Sequence, residues 1–124
     1  MVKNDQDIYL IKKYRLFPKL DKDFVQKKYD ELGDDGIVRT VIFGEQPGCW
    51  QEACELMVLS NLFLPHYDKP DCVHEFLKIL LGKKLRYIDE SLKAASIDLV
   101  ETSGEAASNN IISLQIHEEF CLPF

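Results

Sequence analysis

Apolar residues recur at helical spacing in the middle of the chain. They fall at Trp50, Ala53, Cys54, Met57 and Val58, which is the i, i+3, i+4, i+7, i+8 pattern of one helical face. From Leu56 to Leu64 nearly every position is apolar, which indicates a helix covered on all sides. We therefore predict that this helix is the central element of the domain.

Three further stretches have the pattern of amphipathic helices. They cover residues 22–32, 70–81 and 84–95. Asp21 has the side chain of an N-cap, and Gly33 is suited to the left-handed conformation that ends a helix. Gly82 is interpreted as a stop signal that separates the last two helices.

Other stretches have the composition or the alternation of strands. Residues 8–17 are rich in β-branched and aromatic residues, and residues 37–43 are almost continuously apolar. Residues 97–102 and 112–116 also have strand patterns, and the polar loop between them predicts a hairpin. We expect one α+β domain over residues 1–124, with a flexible start at residues 1–6. A small mixed or antiparallel sheet of about four strands is predicted to pack against three to four helices.

Length and composition are those of one globular domain. The chain has 124 residues, of which 46% are hydrophobic and 29% are charged. Its polar start is not followed by an apolar run long enough for a secretory signal or a membrane span. Its four cysteines are therefore expected to be reduced, and a cytoplasmic location without membrane contact is predicted.

Charge is distributed unevenly along the chain. The net charge is -6, which argues against a general nucleic-acid binder. Residues 94–124 contain no Lys or Arg, and they hold the carboxylates Asp98, Glu101, Glu105, Glu118 and Glu119. The predicted hairpin would gather these carboxylates, with Phe120, at one edge of the sheet. Such a surface attracts a cationic protein, so these six residues are the predicted partner-binding site.

The first quarter of the chain has the opposite charge. Its basic residues include Lys12, Lys13, Arg15, Lys19, Lys22, Lys27 and Lys28. Lysines often protect an exposed edge strand from mispairing, and that is one interpretation of this set. The alternative is an intracellular adaptor that uses the basic strand for edge pairing, or to contact RNA or an acidic partner.

One short segment invites comparison with a class of enzymes. Gly48-Cys49-Trp50 resembles the Gly-Ser-Cys-Trp segment of papain-like thiol proteases, and Gln46 resembles their oxyanion-hole donor. Gln46 lies closer to Cys49 than in that family, and the chain ends before the positions of the family's His and Asn. A small thiol-dependent enzyme, with its histidine among His66, His74 and His117, is kept as an alternative.

Metal and cofactor motifs are not found in the sequence. The spacings from Cys49 to Cys54, from Cys72 to His74 and from His117 to Cys121 match no recognised zinc pattern. No phosphate loop and no catalytic triad order is present. We therefore expect no cofactor, no metal and no catalytic residue.

In size, acidic charge and lack of a catalytic motif, the chain resembles small bacterial immunity proteins, which inhibit cationic toxins that are often nucleases. The resemblance is one of overall profile and not of a shared motif. It implies a non-enzymatic inhibitor that masks a basic toxin with Glu101, Glu105, Glu118 and Glu119. It also implies an aromatic anchor, for which Phe120 and Tyr67 are the candidates. The oligomeric state is left open.

Overall fold

The computed structural model describes residues 5–14, 20–41, 48–57, 68–101 and 105–124. Its helices are α1 (Asp5–Tyr14), α2 (Lys22–Leu32), α3 (Cys49–Met57), α4 (Pro70–Ala94) and the single turn α5 (Leu114–Ile116), and its strands are β1 (Arg39–Val41) and β2 (Leu99–Glu101). Short 3-10 turns cover Gly33–Asp35 and Glu105–Ala107. A π-helical turn, His117–Cys121, continues α5 directly, and the two together are called the C-terminal helix.

Helices predominate in this structure, so the prediction of an α+β fold with about four strands is wrong. Within the described ranges, strand pairing is limited to one parallel ladder of three residues, in which Arg39 lies opposite Leu99 and Val41 opposite Glu101. Such a ladder cannot form a layer for helices to cover. Helices therefore pack on helices in most of the molecule.

The predicted strand over residues 8–17 is instead helix α1 as far as Tyr14, and residues 15–17 lie outside the described ranges. Ile8 is buried and Ile11 is partly buried, three positions apart on one helical face, whereas Leu10 between them is exposed. Lysines in the last turn complement the helix dipole. Packing on α4 therefore overrides the β propensity of the side chains.

The predicted strand over residues 112–116 and its hairpin are also wrong. Ile112, Ile116 and Phe120 are buried at i, i+4, i+8, while Leu114 is exposed. Ser113 begins the helix as its N-cap, because its Oγ accepts a hydrogen bond from the Ile116 amide at 3.3 Å. The other half of the predicted hairpin is β2, and it pairs with β1.

Helix α4 is one continuous helix of 25 residues, although two helices were predicted on either side of Gly82. A single glycine weakens a helix by about 1 kcal/mol relative to alanine without ending it. The buried stripe continues across that position, from Leu77 and Leu80 to Lys84 and Ser91. Tertiary packing therefore carries the helix through the glycine.

The core lies where α3, α4 and the C-terminal helix meet, and α1 adds Ile8. Trp50, Ala53, Cys54 and Met57 of α3 are buried, which confirms the predicted stripe as far as Met57. The rest of the predicted central helix, residues 58–64, lies outside the described ranges. The core also contains Val73, Phe76, Leu77, Leu80, Ile112, Ile116 and Phe120.

Local signals around α2 and β1 are confirmed in part. Asp21 caps α2, with its Oδ1 accepting from the Phe24 amide at 3.0 Å, and Gly33 ends the helix with a φ of 54°. The strand predicted over residues 37–43 is found at Arg39–Val41, and residues 42 and 43 are outside the described ranges.

Candidate functional site

The C-terminal helix has a buried inner side and an exposed outer side. Ile116 and Phe120 form the inner side, and the side chain of Phe120 is completely buried. Leu114, Glu118 and Leu122 lie on the outer side, each separated by about one helical turn from the next. We call these three residues the outer row. The helix thus presents a leucine, a carboxylate and a leucine to solvent.

Aromatic rings attach this helix to the core. The ring of Phe120 lies 4.6 Å from the His74 ring and 5.9 Å from the Trp50 ring, measured between centroids. Trp50 also donates from its indole Nε1 to the Ala106 carbonyl at 3.1 Å. The ring of Phe124 lies 5.9 Å from His74. The C-terminal segment is therefore held against α3 and α4 by ring contacts.

A second contact with α4 joins His74 to a carboxylate of the C-terminal helix. Nε2 of His74 lies 3.4 Å from Oε1 of Glu119. Asp71 precedes His74 by one helical turn and is exposed, as are Glu118 and Glu119. We call Asp71, Glu118 and Glu119 the acidic surface. Residues 105–124 contribute no Lys or Arg to it.

Asp98 and Glu101, two of the other predicted carboxylates, have partners of their own in the β1–β2 region. Asp98 accepts a hydrogen bond from the Val38 amide through Oδ2 at 2.8 Å, and it thereby stabilises the β1–β2 connection. Glu101 pairs with Arg39, with 2.6 Å between Oε2 and the guanidinium nitrogen. The side chain of Glu105 is outside the described part of the structure. Only Glu118 and Glu119 of the predicted set are joined by a common helix.

The predicted aromatic anchor Phe120 is not on the surface. Phe120 is a core residue, and its ring is unavailable to a partner while the domain is folded. Tyr67 lies outside the described ranges. The exposed apolar groups next to the carboxylates are Leu114 and Leu122, which the sequence analysis did not select. The sequence did contain a pattern that predicts their exposure, because both leucines fall opposite the i, i+4, i+8 stripe of Ile112, Ile116 and Phe120.

The Cys49 thiol has the environment of a structural residue. It is 4% exposed and its Sγ donates to the Phe124 carbonyl at 3.6 Å. Burial raises the pKa of Cys49 to about 11, and Glu52 adds to this rise while Lys84 opposes it. A nucleophilic cysteine needs a lowered pKa and access to substrate, and this thiol has neither. The candidate partners Gln46 and His66 lie outside the described ranges.

The remaining cysteines and histidines form no metal centre among the described residues, since no three potential ligands converge there. His74 contacts aromatic rings and Glu119, and all four cysteines are reduced. Burial raises the pKa of Cys54 to about 12 and that of Cys121 to about 11. These thiols are therefore held in the protonated form.

The basic residues of the first quarter of the chain are distributed over two helices. Lys12 and Lys13 are on α1, and Lys22, Lys27 and Lys28 are on α2. Arg15 and Lys19 lie outside the described ranges. Lys27 and Lys28 pair with Glu31 at 3.8 and 2.7 Å. Because α1 is a helix, edge pairing through residues 8–14 is not available to an adaptor.

Sequence analysis missed a buried ion pair beside Cys49. Glu52 of α3 and Lys84 of α4 have side chains that are 1% and 6% exposed, and their charged atoms lie 2.9 Å apart. Lys84 follows Leu80 by one turn on the apolar stripe of α4, and this spacing could have predicted that Lys84 is buried. The pair has no access to solvent, which makes it a structural feature of the core.

Among the helices that the structure describes, none is long and apolar enough to cross a membrane. Comparison of the chain with protein-family models, with curated proteins and with solved structures finds no match in any of the three.

Proposed function

We propose that this protein is a non-enzymatic binding protein that neutralises a basic protein partner, a toxin domain being the class considered above. The observation that carries the proposal is the acidic surface, in which Glu118 and Glu119 belong to a helix without Lys or Arg, and Asp71 lies on α4 one helical turn before the His74 ring that contacts Glu119. Carboxylates of like charge repel one another, and a cationic partner relieves this repulsion. They also accelerate association with a basic protein.

The state of the thiols supports a binding role in a reducing compartment, and we propose a cytoplasmic location. Cys49, the one candidate nucleophile of the sequence, is buried next to an ion pair. All four cysteines are reduced, as is usual for cytosolic proteins. A binding protein requires a stable surface and no reactive group, and these features fit that requirement.

The proposal is tested by capturing the partner with the tagged full-length protein from its host, at low and high salt. The critical variant is Asp71→Lys combined with Glu118→Lys, which reverses two charges of the acidic surface. The matched control is Asp34→Lys combined with Asp35→Lys, an equal change of charge in the exposed 3-10 turn after α2. We expect a stoichiometric basic protein that high salt and the first variant release and that the control variant retains.

Inhibition of the captured protein must then follow the same pattern. The wild type and the control variant should inhibit its activity at equimolar concentration, and the charge-reversed variant should need a higher concentration. Failure to capture any stoichiometric basic protein would contradict the proposal. Equal capture by the two double variants would contradict it as well, because the carboxylates would then have no specific role.

A further inference from the structure

Two leucines on the C-terminal helix are highly exposed. Leu114 is 66% exposed and Leu122 is 73% exposed, the two highest values among the exposed large hydrophobic residues described. Both belong to the outer row, on the side opposite Ile116 and Phe120. Covering an exposed leucine is favourable by roughly 25 cal/mol for each Å² of apolar surface. The outer row therefore offers binding energy to an apolar ligand.

Glu118 lies between the two leucines. One helical turn separates Glu118 from Leu114. On its other side, a π-helical turn leads to Leu122, and the 2.9 Å hydrogen bond from the Leu122 amide to the His117 carbonyl closes this turn. The outer row thus alternates apolar, anionic and apolar groups along a single line. A ligand that matches it must place a cation between two apolar groups.

Two of the other exposed apolar side chains, Tyr14 and Phe24, are accompanied by cations. The Lys13 ammonium lies 5.0 Å from the centre of the Tyr14 ring on α1, and the Lys28 ammonium lies 6.0 Å from that of Phe24 on α2. Residues 105–124 have no Lys or Arg. A cationic apolar ligand is therefore complementary to the outer row and is disfavoured at Tyr14 and Phe24.

We propose that the outer row docks a cationic amphipathic segment of the protein partner, in which a lysine or arginine is flanked by apolar side chains. The cation pairs with Glu118, and the apolar flanks cover Leu114 and Leu122. This inference rests on the proposed function, because it specifies which part of a basic partner is recognised. The leucines then set mainly the dissociation rate, while the carboxylates set mainly the association rate.

The test uses a short synthetic peptide of leucine and lysine arranged as an amphipathic helix, titrated into the isotope-labelled full-length protein. A second peptide keeps every lysine and replaces each leucine by serine. We expect amide chemical-shift changes centred on residues 114–122 with the first peptide. Affinity for the second should be at least about tenfold lower, since it cannot cover the leucines.

Matched variants locate the contact. Leu114→Ser combined with Leu122→Ser should weaken binding of the leucine-lysine peptide at least about tenfold. Leu10→Ser combined with Leu92→Ser removes two leucines that are each 52% exposed on α1 and α4, and it should leave binding unchanged. Because all four positions are exposed, these variants should fold, which amide spectra verify directly.

The outcomes separate this inference from the proposed function. Equal binding of the two peptides, or unchanged binding by the Leu114/Leu122 variant, would overturn the docking role of the outer row and leave the acidic surface as the binding site. Shift changes centred on α1 or α2 would overturn it too. Failure of the proposed function is recognised independently, by the absence of a stoichiometric basic partner in the capture experiment.

Discussion

Nζ of Lys84 lies 2.9 Å from Oε2 of Glu52, and both side chains are buried between α3 and α4. Two charges removed from water lose several kcal/mol of hydration each, and their attraction offsets this loss only while both are present. The pair therefore couples the two central helices. Neither residue can be replaced alone without leaving a buried charge.

We predict that Lys84→Met lowers the free energy of unfolding by about 3–5 kcal/mol, because it leaves the Glu52 carboxylate buried without its partner. Glu52→Leu combined with Lys84→Met should recover most of this loss, since no charge is then left in the core. Urea unfolding followed by circular dichroism measures both differences. A loss below about 1 kcal/mol for Lys84→Met would contradict the buried position of the pair.

The control for this experiment is a surface pair in the same helix. Lys93 lies 2.6 Å from Asp89, and both side chains are more than half exposed. Lys93→Met should change the free energy of unfolding by less than about 1 kcal/mol, because solvent screens exposed pairs. The contrast between the two lysines isolates the effect of burial.

A second prediction concerns the glycine inside α4. A Cβ added at Gly82 meets no atom within 4 Å, and the residue is in the helix interior. Gly82→Ala should therefore stabilise the protein by about 0.5–1 kcal/mol, through the higher helix propensity of alanine. Differential scanning calorimetry would detect this as a higher melting temperature.

Gly33→Ala is the matched control and should act in the opposite direction. Gly33 has a φ of 54° and a ψ of -132°, a combination that L residues rarely adopt, and a side chain there costs roughly 1–3 kcal/mol. A destabilising Gly82→Ala would contradict the structure, because it would mean that another part of the protein or a partner occupies the space next to this glycine.

A third prediction concerns thiol reactivity. Cys49 and Cys54 should resist iodoacetamide at neutral pH in the folded protein, because burial raises their pKa values to about 11 and about 12. Both should react after unfolding in urea. Mass spectrometry of timed samples measures the difference. Rapid modification of Cys49 in the folded state would favour the alternative of a thiol-dependent enzyme.

The same pKa shifts predict a loss of stability at high pH. In the unfolded chain these thiols ionise near pH 9, whereas in the folded protein they stay protonated up to about pH 11. The folded state therefore binds more protons in this interval, and the free energy of unfolding falls as pH rises from 9 to 11. Below pH 9 the contribution is constant. Replacing Cys49 by alanine should reduce the slope, by up to about 1.4 kcal/mol per pH unit.

The amino-acid sequence by itself determined the amphipathic helices and their local signals. Helix α2 begins after Asp21 and ends at Gly33, as the capping carboxylate of Asp21 and the absence of a Cβ at Gly33 predict. The buried stripe of α3 was also readable, because helical periodicity records which side faces a core. These features depend on residues within about one or two helical turns of each other.

The secondary structure near the two ends of the chain could not be predicted from such local patterns. The stretch that forms α1 has β-branched and aromatic side chains, and its packing on α4 decided its conformation. Residues 112–116 fit the two-residue alternation of a strand as well as the four-residue spacing of a helix, since both patterns place Ile112 and Ile116 on one side. The burial of Phe120 one turn later decided for the helix.

The candidate site depended on these decisions. A hairpin would have gathered Asp98 and Glu101 with Glu118, but β2 pairs with β1 instead. Asp98 accepts a hydrogen bond from the Val38 amide just before β1, and these two residues are 60 positions apart along the chain. The acidic surface and the outer row exist because the last helix packs against His74 and Trp50. Contacts between distant residues are set by the free energy of the whole core, and local pattern does not contain that information.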